Sequence, residues 1–212
     1  VGYCAGNTTM TGAGNIAVGT GALCSNTIGY GNIALGIGTL CSNTTGAGNI
    51  ALGDAALRAN TVGSDNISLG NSSLLVNISG SNNVALGLNA LYGNTSGNNN
   101  IAIGADALYG NTSGSNNIAI GLRAGYGITT GANNTIIGSL LAAPACVCTV
   151  LIGAGICERI RVDNSGLYIN GSAFTSGLGF TGSRGFTGSA GSGFTGSAGT
   201  SGTNGFTGSA GT

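Results

Sequence analysis

Three carboxylates, Asp54, Asp65 and Asp106, are the acids of the first 138 residues. Glycoside hydrolysis needs two carboxyl groups about 5–9.5 Å apart. Asp54 and Asp106 lie close to three 17-residue periods apart, roughly 14 Å if successive periods stack at about 4.8 Å. Asp54 and Asp65 fall on opposite stretches of one period. The chain contains no His and no Lys, so the usual general bases are missing. These residues predict no catalytic site, no cofactor and no metal, and the chain is read as not an enzyme. Six cysteines remain: Cys4, Cys24, Cys41, Cys146, Cys148 and Cys157. Their spacing matches no zinc site. Cys24 and Cys41 are one period apart, and a Cα separation of about 4.8 Å falls in the disulfide range. The pair is read as a candidate disulfide within one chain; the alternative is two buried small apolar residues.

The period that places these residues is set by one short stretch. Asn15-Ile16-Ala17-Val18-Gly19 returns as Asn32-Ile33-Ala34-Leu35-Gly36 and again from Asn49, Asn66, Asn83, Asn100, Asn117 and Asn134, always 17 residues on. A fixed period of this kind is the mark of a repeat architecture. Ile16 and Val18 share one face of an extended chain and Ala17 takes the other. After the strand come Gly, two variable residues, an Ala-Leu step such as Ala56-Leu57, and an Asn-Thr-x-Gly turn such as Asn43-Thr44-Thr45-Gly46. Gly recurs in two columns, which calls for positive φ or close backbone approach. The reading is all-β: a parallel β-solenoid, or β-roll, with one 17-residue coil per repeat, two short strands and two corners. The Asn column should stack into an amide ladder along the axis.

Composition limits the function classes. The chain has 44 Gly and one Pro in 212 residues, its charged fraction is 5%, and its net charge is zero. No charge imbalance favours nucleic acid. No run approaches the roughly 18 apolar residues of a spanning helix. The chain begins in mid-repeat, so it is read as a window on a longer protein. Three sizeable apolar side chains per coil, such as Ile101, Ile103 and Leu108, make a thin core, and thin cores are usually completed by association. The small column Ala17, Ala34, Ala51, Ala85, Ala102 and Ala119 is the expected trimer contact; the alternative is that Ala lines a narrow monomeric interior.

The chain divides into four segments. Residues 1–138 are the solenoid array. Residues 139–157 hold a degraded repeat, Thr149-Val150-Leu151-Ile152-Gly153, and the closing segment. Residues 158–178 form a charged β-hairpin, the trimer neck, with Glu158, Arg159, Arg161 and Asp163 either solvated or paired between chains. In residues 179–212 Gly recurs at every third position with one two-residue step, as in a collagen-like triple helix. A flexible Gly/Ser linker is the alternative for this segment, against which the regular Phe180, Phe186, Phe194 and Phe206 argue.

The Asn-Ile-Ala-Ile-Gly-x-x-Ala-Leu-x-x-Asn-Thr-x-Gly repeat resembles arrays in tail-fibre and appendage proteins of bacterial viruses. The segment Glu158 to Gly166 is similar to the one after such arrays, and the Gly-Phe-Thr-Gly-Ser tail resembles collagen-like runs in fibres of viruses infecting cyanobacteria. The strand is also similar to head repeats of trimeric autotransporter adhesins, whose repeats are shorter. The resemblance implies a structural fibre at a virion surface or outside the cell, trimeric, used for host-surface adhesion. The alternative is a subunit of a self-assembling extracellular filament or a trimeric cell-surface adhesin. The implied partners are further copies of the chain, in a homotrimer or joined head to tail in a filament, and a host glycan or protein receptor. Neither nucleic acid nor a membrane span is implied.

Overall fold

Each repeat closes one coil, and each coil lays its strand beside the strand of the next. In the computed structural model the described residues are 2–6, 8–139, 149–154, 157–163, 166–169 and 172–174. The strands are β1 (Ile16–Val18), β2 (Ile33–Leu35), β3 (Ile50–Leu52), β4 (Ile67–Leu69), β5 (Val84–Leu86), β6 (Ile101–Ile103), β7 (Ile118–Ile120), β8 (Thr135–Ile137), β9 (Val150–Ala154), β10 (Cys157–Asp163), β11 (Gly166–Ile169) and β12 (Ser172–Phe174). They form one sheet in sequence order. From β1 to β9 the pairing is parallel and each residue meets its own equivalent, Ala17 opposite Ala34 and Ala85 opposite Ala102. The register continues into the degraded repeat, with Ile136 opposite Leu151. There the sheet changes sense: β10 runs antiparallel to β9, and β11 and β12 continue as antiparallel neighbours. The pairing of Val162 with Leu167 makes β10 and β11 a hairpin. Residues 179–212, with their Gly triplets, lie outside the described residues, as does the segment 140–148.

Each coil of the array has one three-residue strand, not two. The reason lies in the Ala-Leu step. Ala56 and Leu57 are adjacent and both 0% exposed. An extended strand would send neighbours to opposite faces. The chain turns both inward by placing Leu57 at φ 51°, and the same column repeats this at Leu23, Leu40, Leu74, Leu91 and Leu108. A left-handed conformation costs an L-residue roughly 1–2 kcal/mol. Burial of a whole leucine side chain, about 1.5–3 kcal/mol, offsets it. Backbone hydrogen bonds still join the coils here, as from Leu57 N–H to Ser73 O (3.0 Å) and Ala59 N–H to Leu75 O (3.0 Å).

Both Gly columns lie too close to the next coil's backbone carbonyl to carry a Cβ, and they differ in backbone conformation. Gly19 and Gly36, which end their strands, have φ of +124° and +136°. Gly46 has ordinary φ, but a Cβ there would run into the carbonyl oxygen of Gly63 in the next coil. That close approach serves the polar interior. Asn32 Nδ2 donates to Asn15 Oδ1 (3.1 Å) and to the Gly46 carbonyl (2.9 Å), and its backbone N–H donates to the same Oδ1 (2.9 Å). The expected amide ladder is thus present. A second one runs beside it: Asn43 Nδ2 donates to Asn26 Oδ1 (2.7 Å) and to the same Gly46 carbonyl (2.9 Å). Both columns are fully buried from Asn26 and Asn32 onward. Buried amides are tolerated because neighbouring coils satisfy them, Asn111 Oδ1 at the end of the second ladder excepted.

Candidate interaction surface

The interior is filled by the small and branched residues that face one another across the coil. Ala34, Ala51, Ala85, Ala102 and Ala119 are 0% exposed and lie in one cluster with the buried leucines; Ala17 is half-buried against the same cluster. The trimer-contact role expected of this column is corrected accordingly. The chain's own coil seals these side chains, so a neighbouring subunit cannot reach them. Alternation then fixes the other face. Of the three residues expected to fill a coil, Leu108 is buried, whereas Ile101 is half-buried and Ile103 is 38% exposed.

The outward face of the sheet is therefore apolar. Its first column runs Ile16, Ile33, Ile50, Ile67, Val84, Ile101 and Ile118, is interrupted by Thr135 and resumes at Val150, and its second runs from Val18 through Leu35, Leu52, Leu69 and Leu86 to Ile103, Ile120, Ile137 and Ile152. Ile16 is 51% exposed and Ile137 41%. Just past the strand-ending glycines, Ile37, Leu88 and Leu122 extend this apolar character and are themselves exposed. Stacked in register, such side chains cover only their neighbours' flanks and leave a continuous ridge to solvent.

The carboxylates are dispersed. Asp54 Oδ1 accepts from Ile37 N–H (3.2 Å). Asp106 accepts from Asn89 Nδ2 (3.1 Å) and faces Arg123 Nε (3.5 Å). Asp65 occupies the left-handed position before Asn66, with φ 56°. The partners of Asp54 and Asp106 belong to the coil scaffold and to one surface ion pair. Among the described residues, no three His, Cys, Asp or Glu side chains gather as metal ligands, and no helix is long and apolar enough to cross a membrane.

Cys24 and Cys41 stack in one column, tied by the bond from Ser25 N–H to Cys41 O (3.0 Å), and both are free thiols. The Cys4 thiol joins them: burial first, then the neighbouring Cys4 and Cys41 and a hydrogen bond with Cys4, push the Cys24 thiol above its ordinary value. Spacing did not predict Cys4, which is not a multiple of the period from Cys24. Cys146 and Cys148 lie outside the described residues. Glu158, Arg159, Arg161 and Asp163 all sit on β10, where Arg161 is opposite both Leu151 and Tyr168. For these four residues the described part is the backbone.

Sequence reasoning passed over one further feature. Tyr92, Tyr109 and Tyr126, successive members of one corner column, stack with ring centroids 4.9 and 5.1 Å apart and interplanar angles of 10° and 9°. The spacing of 17 between them was legible, but the column elsewhere holds Cys24, Cys41, Arg58 and Leu75, which masks it.

The fold defines an all-β repeat protein, a parallel β-solenoid of 17-residue coils. Compared with family models, with curated proteins and with solved structures, the chain has no match.

Proposed function

We propose that the chain is a structural fibre protein, a homotrimer in which three solenoids bring the outward faces of their sheets together. In this reading it forms the shaft or tip of a virion fibre that adheres to a host surface. The outward apolar face carries the proposal. It is about 10 Å wide and nine strands long at about 4.8 Å each, so it covers roughly 400 Å² in plan. Patches of a few hundred Å² are where proteins meet other proteins. A trimer gives each chain two neighbours and removes the ridge from water. The Gly triplets of 179–212 support three chains over two, because Gly at every third position suits a three-stranded helix. Low charge and the scatter of Asp54, Asp65 and Asp106 over separate places in the coils support a structural rather than catalytic role.

Sedimentation equilibrium of the full chain tests the stoichiometry: the expected mass is three times 20.2 kDa, and a stable folded monomer overturns the trimer. Electron micrographs of the native particle test the setting. A fibre attached to a capsid or tail is expected; free filaments with a helical repeat overturn the virion assignment in favour of an extracellular filament.

A further inference from the structure

Two rows of side chains run along one corner of the last three regular coils. One row is the stacked Tyr92, Tyr109 and Tyr126. The other, three residues earlier in each coil, is Asn89, Asp106 and Arg123. The second row is linked along the axis, Asn89 Nδ2 to Asp106 Oδ1 (3.1 Å) and Arg123 Nε to Asp106 Oδ2 (3.5 Å), and the Arg123 guanidinium lies 5.8 Å from the centre of the Tyr126 ring. The phenol hydroxyls have no hydrogen-bond partner among the described residues.

We infer that this corner is a binding strip for a neutral, extended, β-linked polysaccharide lying along the solenoid axis. The inference rests on the adhesive role proposed above and names its ligand. Three observations carry it. The ring faces are occupied by one another, so the strip presents their edges and hydroxyls; ring edges carry partial positive charge and suit hydroxyl oxygens. The neighbouring row supplies donors and acceptors whose charges cancel, Asp106 against Arg123, so it favours a neutral polyol over an anionic one. The step of 4.9 to 5.1 Å between rings is close to the length of one pyranose unit in an extended β-linked chain, so each unit meets one phenol and one polar group. A nucleic acid strand would need positive charge that the strip lacks.

The same column holds Leu75 in a coil of the same geometry, so Tyr→Leu changes are compatible with the fold. The test is titration of the full chain with cellohexaose and hexa-N-acetylchitohexaose, both neutral and β-linked, followed by tyrosine emission, which no Trp obscures. Saturable binding is expected, weakened at least tenfold, which is ~1.4 kcal/mol, in a Tyr92→Leu/Tyr109→Leu/Tyr126→Leu variant. A Tyr→Phe triple variant keeps the stack, removes the hydroxyls, and is expected to lose binding as well. Failure of both hexasaccharides to bind, or unchanged affinity in the Phe variant, overturns the inference. Sedimentation of the same samples separates the two proposals: a trimer that binds no saccharide sinks this one alone, and a monomer that binds saccharide sinks the trimer alone.

Discussion

The side-chain oxygen of Asn111 is the open end of a hydrogen-bond ladder, because the next position in its column is Ile128. From Asn26 onward each Asn of this column accepts from the Nδ2 of the next, ending with Asn111 Nδ2 to Asn94 Oδ1 (2.9 Å). Asn111 Oδ1 is buried and has no partner among the described residues. The adjoining Leu column breaks in the same coil. Gly125 stands where Leu108 stood, and a Cβ there would meet Ile136 Cδ1 and Leu108 Cδ2 at 3.0 Å and Ile128 Cδ1 at 3.4 Å. Ile128 and Ile136 thus fill the volume that a leucine at 125 would take.

Exchanging these residues for the repeat's own should show coupling. Ile128→Asn restores a donor to Asn111, worth about 1–3 kcal/mol for a buried unsatisfied group. It also empties an apolar volume at a cost of roughly 2–5 kcal/mol, so the single variant is expected to be less stable. Gly125→Leu alone overpacks the site by about 1–3 kcal/mol. In the double variant the new leucine enters the volume that Ile128 leaves. Chemical denaturation should give a double-variant loss smaller than the sum of the two single losses; simple additivity refutes the shared volume.

A matched exception occurs in the coil of β4. Ser68 replaces the strand Ala and Ser73 replaces the Ala of the Ala-Leu step. Ser68 Oγ donates to Ser73 O (2.9 Å), and Ser73 Oγ donates to Gly70 O (2.8 Å). Their hydroxyls also touch. Replacing both partners by apolar groups of the same shape is close to neutral. Ser68→Ala/Ser73→Ala should therefore unfold within about 1 kcal/mol of the parent. A loss of several kcal/mol would show that the hydroxyls organise the coil.

The period was legible because parallel in-register stacking makes every residue meet its own equivalent, so column identity follows from spacing alone. Direction was not. Alternation says that Ile50 and Ala51 face opposite ways, but not which is inside. The deciding partner is Leu57, whose side chain fills the coil from the far wall and leaves room for a small side chain, Ala or Ser. Ala56 and Leu57 suggest a second strand because they look like an extended pair, but a leucine at positive φ turns both inward. The second Asn ladder was hidden because Asn in Asn-Thr-x-Gly is an ordinary turn former. The Tyr strip was hidden by the mixed composition of its column.

The thiol cluster gives a third prediction. Oxidation of the full chain should link Cys24 within its own chain, to Cys41 above or Cys4 beside it. A Cys24–Cys41 bridge closes a loop of about 17 residues, worth roughly 3 kcal/mol in the chain-entropy model. Cys24→Ser should abolish any bridge among the three and leave Cys4 and Cys41 open to alkylation. Mass mapping that finds Cys4 joined to Cys41 in that variant, or Cys24 joined to another chain, contradicts the stacking.

Two neighbouring residues on one strand separate folding from assembly. Ala85 points inward and is 0% exposed, while Leu86 belongs to the outward ridge and is half-buried. Ala85→Leu adds volume to a filled coil and should cost about 1–3 kcal/mol, read as a lower denaturation midpoint. The loss acts within each chain, because the coil itself seals this site. Leu86→Asn leaves the interior untouched. It places an amide where two sheets would meet, and a buried amide without a partner costs about 1–3 kcal/mol per chain. The expected result is a chain with unchanged far-ultraviolet dichroism and a trimer that dissociates at higher protein concentration. If instead Ala85→Leu dissociates the assembly without lowering the midpoint, and Leu86→Asn leaves assembly intact, the outward ridge is not the contact between subunits.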